Sequence, residues 1–575
     1  MNALDYGIVA LYFGAMIWLG LRFKRNAAGT DYFLGSRALG WFPLGMSTMA
    51  TQLSAVSFVS APAFVGLRSG GGMQWLTYEF GVPLAMIPLM ALIGPMLRRS
   101  GVVSVYSFLE RRFGRGSRLL LSALFIFSRA FGTGVQIYVI ALVLASILML
   151  PFWETIMALG GVTIVYSLKG GLKAIVYSEV AQMIIKVLGI FVIMFTALHY
   201  MGGWSSFMEH LDHRRLQVLD FHNVGFDGRE YGFWPMLFGG FFLYTAYYGT
   251  DQTQAQRILA ARDERTVRQL LLFNGLLRFP ITLAYCFGGL ILGAFALATP
   301  EFRAAIPLDK PDLMIPVFIA NYLPHGIVGI IVVALIAAWM SAYSSTLNSL
   351  TAVTMEDFVS PLVSIPAERY VGVSKYVLLA WGAATMVFGF FAGKLAATAI
   401  EAINKIGSVT YGPILGIFLL TTLPRVTPLA ANVAVAAGVC VNLVLWLFFP
   451  NVFWFWWNAI GALVTLSVGV VLGLLLSRSR QTQTQAPAPA PAPAPAPGLA
   501  AARRFPFRES VVMLIVFICI LVICALLPRV ARAADGSSES FQLFGRSPEG
   551  EDKNLCFRIE ELDLELPGLE SLLHR

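Results

Sequence analysis

Apolar runs of about twenty residues recur along most of this 575-residue chain, and each is long enough to cross the roughly 30 Å hydrocarbon core of a bilayer as a helix. They centre near Phe13, Ser54, Met86, Tyr138, Val162, Phe191, Phe241, Tyr285, Ala337, Thr385, Leu415, Val441, Leu466 and Phe517. This pattern predicts an all-α polytopic membrane protein with about fourteen transmembrane helices, because in hydrocarbon every backbone polar group must be satisfied within its own segment. Composition points the same way: 57% of the residues are hydrophobic and 13% are charged, against roughly 25% charged in soluble domains.

The first run, Tyr6 to Leu21, is preceded by Asp5 and followed by Arg22, Lys24 and Arg25. That is the wrong order for a cleaved leader, so it reads as a spanning helix. A net charge of +9 would suit a nucleic-acid binder, but the basic residues lie in short loops, where the orientation of membrane helices accounts for them. The loops with Arg22, Lys24, Arg25 and Arg37, with Arg98 to Arg118, with Lys169 and Lys173, with Arg257 to Arg268 and with Arg478 to Arg508 alternate onto one side. The expected place is therefore the cytoplasmic (plasma) membrane, with that side inward and both termini outside. The five cysteines, Cys286, Cys440, Cys519, Cys524 and Cys556, keep no metal or redox spacing, and the six histidines include no helical pair inside a span. No organic cofactor and no enzymatic activity are expected.

Some of the runs are too polar to face lipid. From Ala334 to Phe358 an apolar helix fills with hydroxyls, and Ser341, Ser345 and Asn348 fall at i, i+4 and i+7 with Ser344 one step round, which turns one helix face polar. Such oxygens bond back to the preceding turn, glue helices together, or coordinate something that passes. The segment from Gly45 to Phe58 is small-residued and polar, and a second of its kind, Leu243 to Gln252, is interrupted at Gly249 and carries Asp251. Interrupted helices in corresponding halves are the mark of inverted-repeat transporters. Between them Gly170 and Gly171 turn the chain back into the membrane with Glu179 on board, an acid that either reaches water at a helix end or serves a site. Arg129 and Arg278 also fall inside apolar runs. Beyond Leu476 an Ala-Pro repeat forms a semi-stiff linker, followed by a last apolar run, Val511 to Leu527, and an acid-rich tail.

In order and spacing, several elements resemble the sodium/solute symporter family, which includes sodium-coupled glucose, proline, iodide, monocarboxylate and vitamin transporters. They are Asp31-Tyr32-Phe33-Leu34-Gly35-Ser36-Arg37, the Ser47 to Phe58 helix, Gly170-Gly171-Leu172-Lys173-Ala174, Gly249-Thr250-Asp251-Gln252 with Gln256-Arg257, Leu347-Asn348-Ser349 with Thr354-Met355-Glu356-Asp357, and Gly412-Pro413-Ile414-Leu415. The resemblance spans Tyr6 to about Leu476. It implies a leucine-transporter-type core of two inverted five-helix repeats, and the expected divisions are residues 1–30 (extra helix and loop), 31–425 (core), 426–480 (two more helices), 481–509 (linker), 510–530 (last helix) and 531–575 (tail).

The resemblance further implies a sodium ion held by the carbonyls of Ala50, Leu53 and Ala338 and the hydroxyl of Ser341. The neighbouring hydroxyl position is Ala342 here, one oxygen short. A second sodium would use Glu179, Ser344 and Ser345. A central solute cavity would be lined near Ser57, Glu79, Asp251, Arg278 and Asn404, with Arg129 also placed to meet an anion. The expected function is therefore sodium-coupled symport of a small polar organic solute, with a carboxylate among the candidates and an ordinary hexose disfavoured. Two alternatives stand beside it: the same fold coupled to protons through Glu179 or Asp251, and a solute-sensing receptor that signals through its tail. The expected partners are the solute, sodium and lipid.

Overall fold

The computed structural model describes residues 1–22, 29, 31–308, 310–392, 399–483 and 505–534. Most of the Ala-Pro linker and residues 535–575 of the tail lie outside the described residues. Contacts divide the chain into one unit from Met1 to Ala531 and a second from Arg532 onward. Of the second only 532–534 are described, and they are helical.

The first unit is helical almost throughout. Its principal elements are α1 (Ala3–Arg22), α2 (Trp41–Gln52), α3 (Ala55–Gly66), α4 (Met73–Ser100), α5 (Val105–Leu148), α6 (Phe152–Met201), α7 (Phe233–Gly249) and α8 (Gln252–Ala260). They continue with α9 (Glu264–Ala298), α10 (Ile327–Val353), α11 (Ala367–Ala392), α12 (Ala399–Leu420), α13 (Pro428–Phe448), α14 (Phe455–Gln483) and α15 (Phe507–Ala534). Among the described residues ten helices are long and apolar enough to cross a membrane, or eleven when α2 and α3 count as one bent span. The sequence count of about fourteen is higher. Part of the difference is at α7, which has 17 residues, and at Phe152–Leu168, a shorter apolar helix set off from the rest of α6 by the non-helical turn at Gly171.

The breaks fall where residue type demands them. In α6 the turn is made at Gly171, whose φ of 57° suits glycine alone, and a Cβ there would stand 2.6 Å from the Tyr32 carbonyl oxygen. The axes on either side of Leu53 and Ser54 differ by 56°. The α7–α8 break lies at Thr250 and Asp251, and the Asp251 carboxylate caps α8 by accepting from Thr253 N at 2.8 Å.

α10 is the central helix. Its most apolar stretch is 89% buried, whereas no other candidate span among the described residues exceeds 67%. The hydroxyl-rich face seen in the sequence thus looks inward, and so does every other face. α6 approaches closely where a Cβ on Gly189 would meet the Ala334 methyl at 2.9 Å. α3 is pressed against α9 in the same manner: a Cβ on Gly66 would lie 2.4 Å from Gly289 O, and one on Gly293 2.6 Å from Gly66 O. Past Val353 the helix widens into a π segment, Thr354–Val359. There buried Asp357 accepts from Ser104 Oγ (2.6 Å), Ser107 Oγ (3.0 Å), Ser122 Oγ (2.5 Å) and Arg118 Nε (2.7 Å).

Candidate functional site: a cation seam beside a central cavity

The break after α2 frees backbone oxygens. Ser54 N turns to Gln52 O at 2.9 Å and not to Ala50 O, so the carbonyls of Ala50 and Leu53 point sideways without helical partners. Across from them α10 brings Ser341, whose Oγ lies 3.0 Å from Ala50 O and 3.2 Å from Ala338 O. The oxygens expected to hold sodium do converge. The group on which they converge is the ammonium of Lys186, which reaches in from α6 and donates to Ala50 O at 2.6 Å, Leu53 O at 2.9 Å and Ser341 Oγ at 2.7 Å. Lys186 is fully buried.

The expected second sodium site is also built around a cation of the chain. Glu179 is fully buried, so it is not an acid reaching water at a helix end. Its carboxylate receives Arg257 Nη2 at 3.0 and 3.2 Å and the hydroxyls of Ser47, Thr51 and Ser345. The Arg257 guanidinium donates in turn to Ser47 Oγ and Thr51 Oγ1, each at 3.1 Å, and to Ser345 Oγ. Ser344 stays apart from this cluster, with its hydroxyl 3.4 Å from Ser341 O. Charge patterning along the sequence groups Arg257 with the loop charges. It is fully buried, because α8 re-enters the protein directly after the Asp251 break.

Next to the seam lies a cavity of about 140 Å³ lined by residues of both α2–α3 and α7. Five of the expected solute residues line it: Ser57, Glu79, Arg129, Arg278 and Asn404. Asp251 is not on the wall. It stands behind Arg129, taking Nε at 2.8 Å and Nη2 at 2.5 Å on one carboxylate oxygen. Tyr411 OH also reaches that oxygen, at 3.4 Å. The Arg129 guanidinium is held over the Tyr247 ring at 5.3 Å. Arg278 Nε bonds Glu79 at 3.1 and 3.0 Å, and Thr282 Oγ1 bonds the same carboxylate at 2.8 Å.

Gln52, at the end of α2, is a lining residue that sequence reasoning misses. Its Oε1 accepts from Arg278 Nη1 and Tyr248 OH, both at 3.0 Å, which fixes the amide orientation because a guanidinium can only donate. The Gln52 Nε2 donor is left without a hydrogen-bond partner among the described residues.

A protein-family model described as the sodium:solute symporter family matches residues 32–427. The chain belongs to that family. It is 29% identical over 453 residues to the sodium/iodide cotransporter of Homo sapiens, covering 77% of this chain and 69% of that protein. It is 27% identical over 471 residues to sodium-coupled monocarboxylate transporter 2 of Bos taurus, covering 80% and 73%. Among solved structures, a sodium-coupled sialic acid symporter in a substrate-bound outward-open state matches with TM-score 0.72 at 21% identity, over 82% of this chain and 98% of that one. Mhp1, a nucleobase-cation-symport-1 family transporter, matches with TM-score 0.52 at 14% identity, over 79% and 95%. These two likenesses show the fold.

As a member of the sodium:solute symporter family the chain is a multi-pass transporter and not an enzyme. Its family couples a small solute to sodium, and its setting is the lipid bilayer. Within that frame the two unpredicted residues, Lys186 and Arg257, are the ones that decide the character of the cation seam. A signal for Lys186 is present in the sequence: it is the one charged residue between Glu179 and His199, in mid-run and seven positions after Glu179.

Proposed function

We propose that this symporter carries a small organic anion, a carboxylate, by alternating access. The core is read as two inverted five-helix repeats, which with flanking helices make about fourteen spans. The observation that carries the reading is the state of the charges around the cavity. Glu79 is already taken by Arg278 and Thr282, and Asp251 by Arg129, so neither offers an unpaired carboxylate to an amino group. The charged residues on the wall itself are Arg129, Arg278 and Glu79, and with Asp251 directly behind Arg129 these charges cancel as two ion pairs. The unpartnered Gln52 Nε2 adds a neutral donor. A guanidinium carries five N–H donors and no acceptor, so the two wall arginines suit a carboxylate. The names of the relatives, iodide and monocarboxylate cotransporters, agree with an anionic cargo.

In this reading the α2–α3 and α7–α8 breaks flank the solute and supply the hinges of alternating access. The basic loops support an inward face with both termini outside: Arg98 Nη2 meets Arg262 O at 2.7 Å and Arg99 Nη2 meets Glu264 at 2.8 Å, which draws two of them together. The test is uptake into proteoliposomes under an imposed sodium gradient, with labelled short monocarboxylates, neutral amino acids and hexoses compared. Accumulation of a monocarboxylate, with a KM that Arg278→Gln raises about tenfold or more, is the expected result. Accumulation of a hexose or an amino acid and no acid would overturn the reading.

A further inference from the structure

We propose that in this chain the first cation position, between α2 and α10, is filled by Lys186. Sodium coupling then does not run through the oxygens of Ala50, Leu53, Ala338 and Ser341. This deepens the symporter reading and rests on it for the uptake measurements alone.

Ligand counting carries the argument. A lysine ammonium has three N–H donors and no acceptor. Three acceptors meet it here, Ala50 O, Leu53 O and Ser341 Oγ, at 2.6 to 2.9 Å, one for each donor. Hard cations that have shed their water ask for more: calcium and magnesium take about six or more oxygens. The absent hydroxyl at Ala342, a deficit for a sodium site, is none for an ammonium. The Ala342 side chain instead contributes to the cavity wall.

Space and charge exclude a shared site. A sodium ion bound by these oxygens would have to sit where Nζ now lies, since all three ligands already close on that atom. Nor is there a spare negative charge to balance a second positive one. Glu179, the acid two turns earlier on α6, is bonded to Arg257 and to hydroxyls of Ser47, Thr51 and Ser345. Burying an uncompensated charge is costly. The backbone is arranged for the lysine as well. Gly189, close to Lys186 on the same helix, lets α6 approach Ala334 of α10, which sets the lysine stem against the seam and lets Nζ reach the α2 carbonyls.

The test uses the full chain, purified and reconstituted. Two readouts are taken: sodium-specific thermal stabilisation, sodium chloride against choline chloride at equal ionic strength, and the sodium concentration for half-maximal solute uptake. In the otherwise wild-type protein, Ser341→Ala should leave that half-maximal concentration within about twofold, whatever it does to the maximal rate. Lys186→Ala empties the position and should acquire a sodium-specific rise in melting temperature, which the added Ser341→Ala removes. A fivefold or larger increase in half-maximal sodium from Ser341→Ala alone would overturn the proposal. So would a wild-type protein whose sodium-specific rise in melting temperature is removed by Ser341→Ala. If Lys186→Ala does not fold, the comparison of wild type with Ser341→Ala still decides. Should no carboxylate be taken up while the stabilisation pattern is as expected, the solute reading fails and this one stands.

Discussion

Lys186 follows Glu179 by seven residues, two turns and about 10 Å along α6, and both side chains leave that helix toward the same seam between α2 and α10. One brings a positive charge to backbone oxygens. The other brings a negative charge that a guanidinium from α8 neutralises. A single face of one helix thereby sets the charge balance of both cation positions.

The first prediction concerns Ala342. A hydroxyl added beside a vacant sodium site would raise sodium affinity about tenfold for every 1.4 kcal/mol that the new ligand oxygen contributes. With the Lys186 ammonium in place, Ala342→Ser should instead leave the sodium dependence of uptake unchanged. Because Ala342 lines the cavity, the change should appear in the solute KM, read from uptake at saturating sodium.

Glu179→Gln should act chiefly on stability. It leaves the Arg257 guanidinium, fully buried, without its countercharge, and breaking one partner of such a pair costs about 3–5 kcal/mol. A large fall in melting temperature is expected, with most of it recovered in Glu179→Gln/Arg257→Met, where neither charge remains. Full stability of the single mutant, measured by thermal denaturation in detergent, would contradict the buried pair.

At the cavity, Arg278→Gln removes a positive wall group and at the same time releases Glu79 from its partner. An anionic solute then meets a carboxylate where a guanidinium stood. Its KM should rise by about tenfold or more, equivalent to at least about 1.4 kcal/mol. Arg278→Lys should recover only part, since an ammonium cannot bond Glu79 and Gln52 with the same fork.

Asp357 tests the packing of the α10 end. Three serine hydroxyls and Arg118 converge on this one carboxylate. Asp357→Asn keeps its shape but removes the charge and puts a donor where only acceptors are wanted, so it should destabilise by about 1–3 kcal/mol. Thermal melts of Asp357→Asn and Asp357→Glu, compared with wild type, give the measurement.

The polar α10 face, the two interrupted helices, Arg129 and Arg278 are legible in the sequence because each has a local signature: helical spacing of hydroxyls, small residues at membrane depth, a charge inside an apolar run; Ser57, Glu79 and Asn404 come to the cavity only through the family resemblance. Lys186 is a charge inside an apolar run too, yet its meaning depends on α2, α6 and α10 meeting at one point, and no local pattern tells which carbonyls a broken helix will turn outward. Arg257 is hidden differently. It directly precedes a loop rich in arginine, so charge counting assigns it to the membrane surface, whereas the re-entry of α8 at Asp251 buries it. Gln52 gives no signal, because an amide becomes a ligand group only through the Arg278 and Tyr248 bonds that orient it. The count of about fourteen includes shorter apolar segments such as α7 and Phe152–Leu168, which fall below the length of the ten or eleven long spans among the described residues.

The close glycine packing ties α3 to α9, and the bend of the α2–α3 pair falls at Leu53 and Ser54. The oxygens exposed by that bend are the ones Lys186 grips. Straightening it would return the Ala50 and Leu53 carbonyls to backbone amides and leave the ammonium with Ser341 as its one remaining acceptor. The lysine is therefore also a bolt across the hinge, and the bend of the helix and the seat of the charge can only change together.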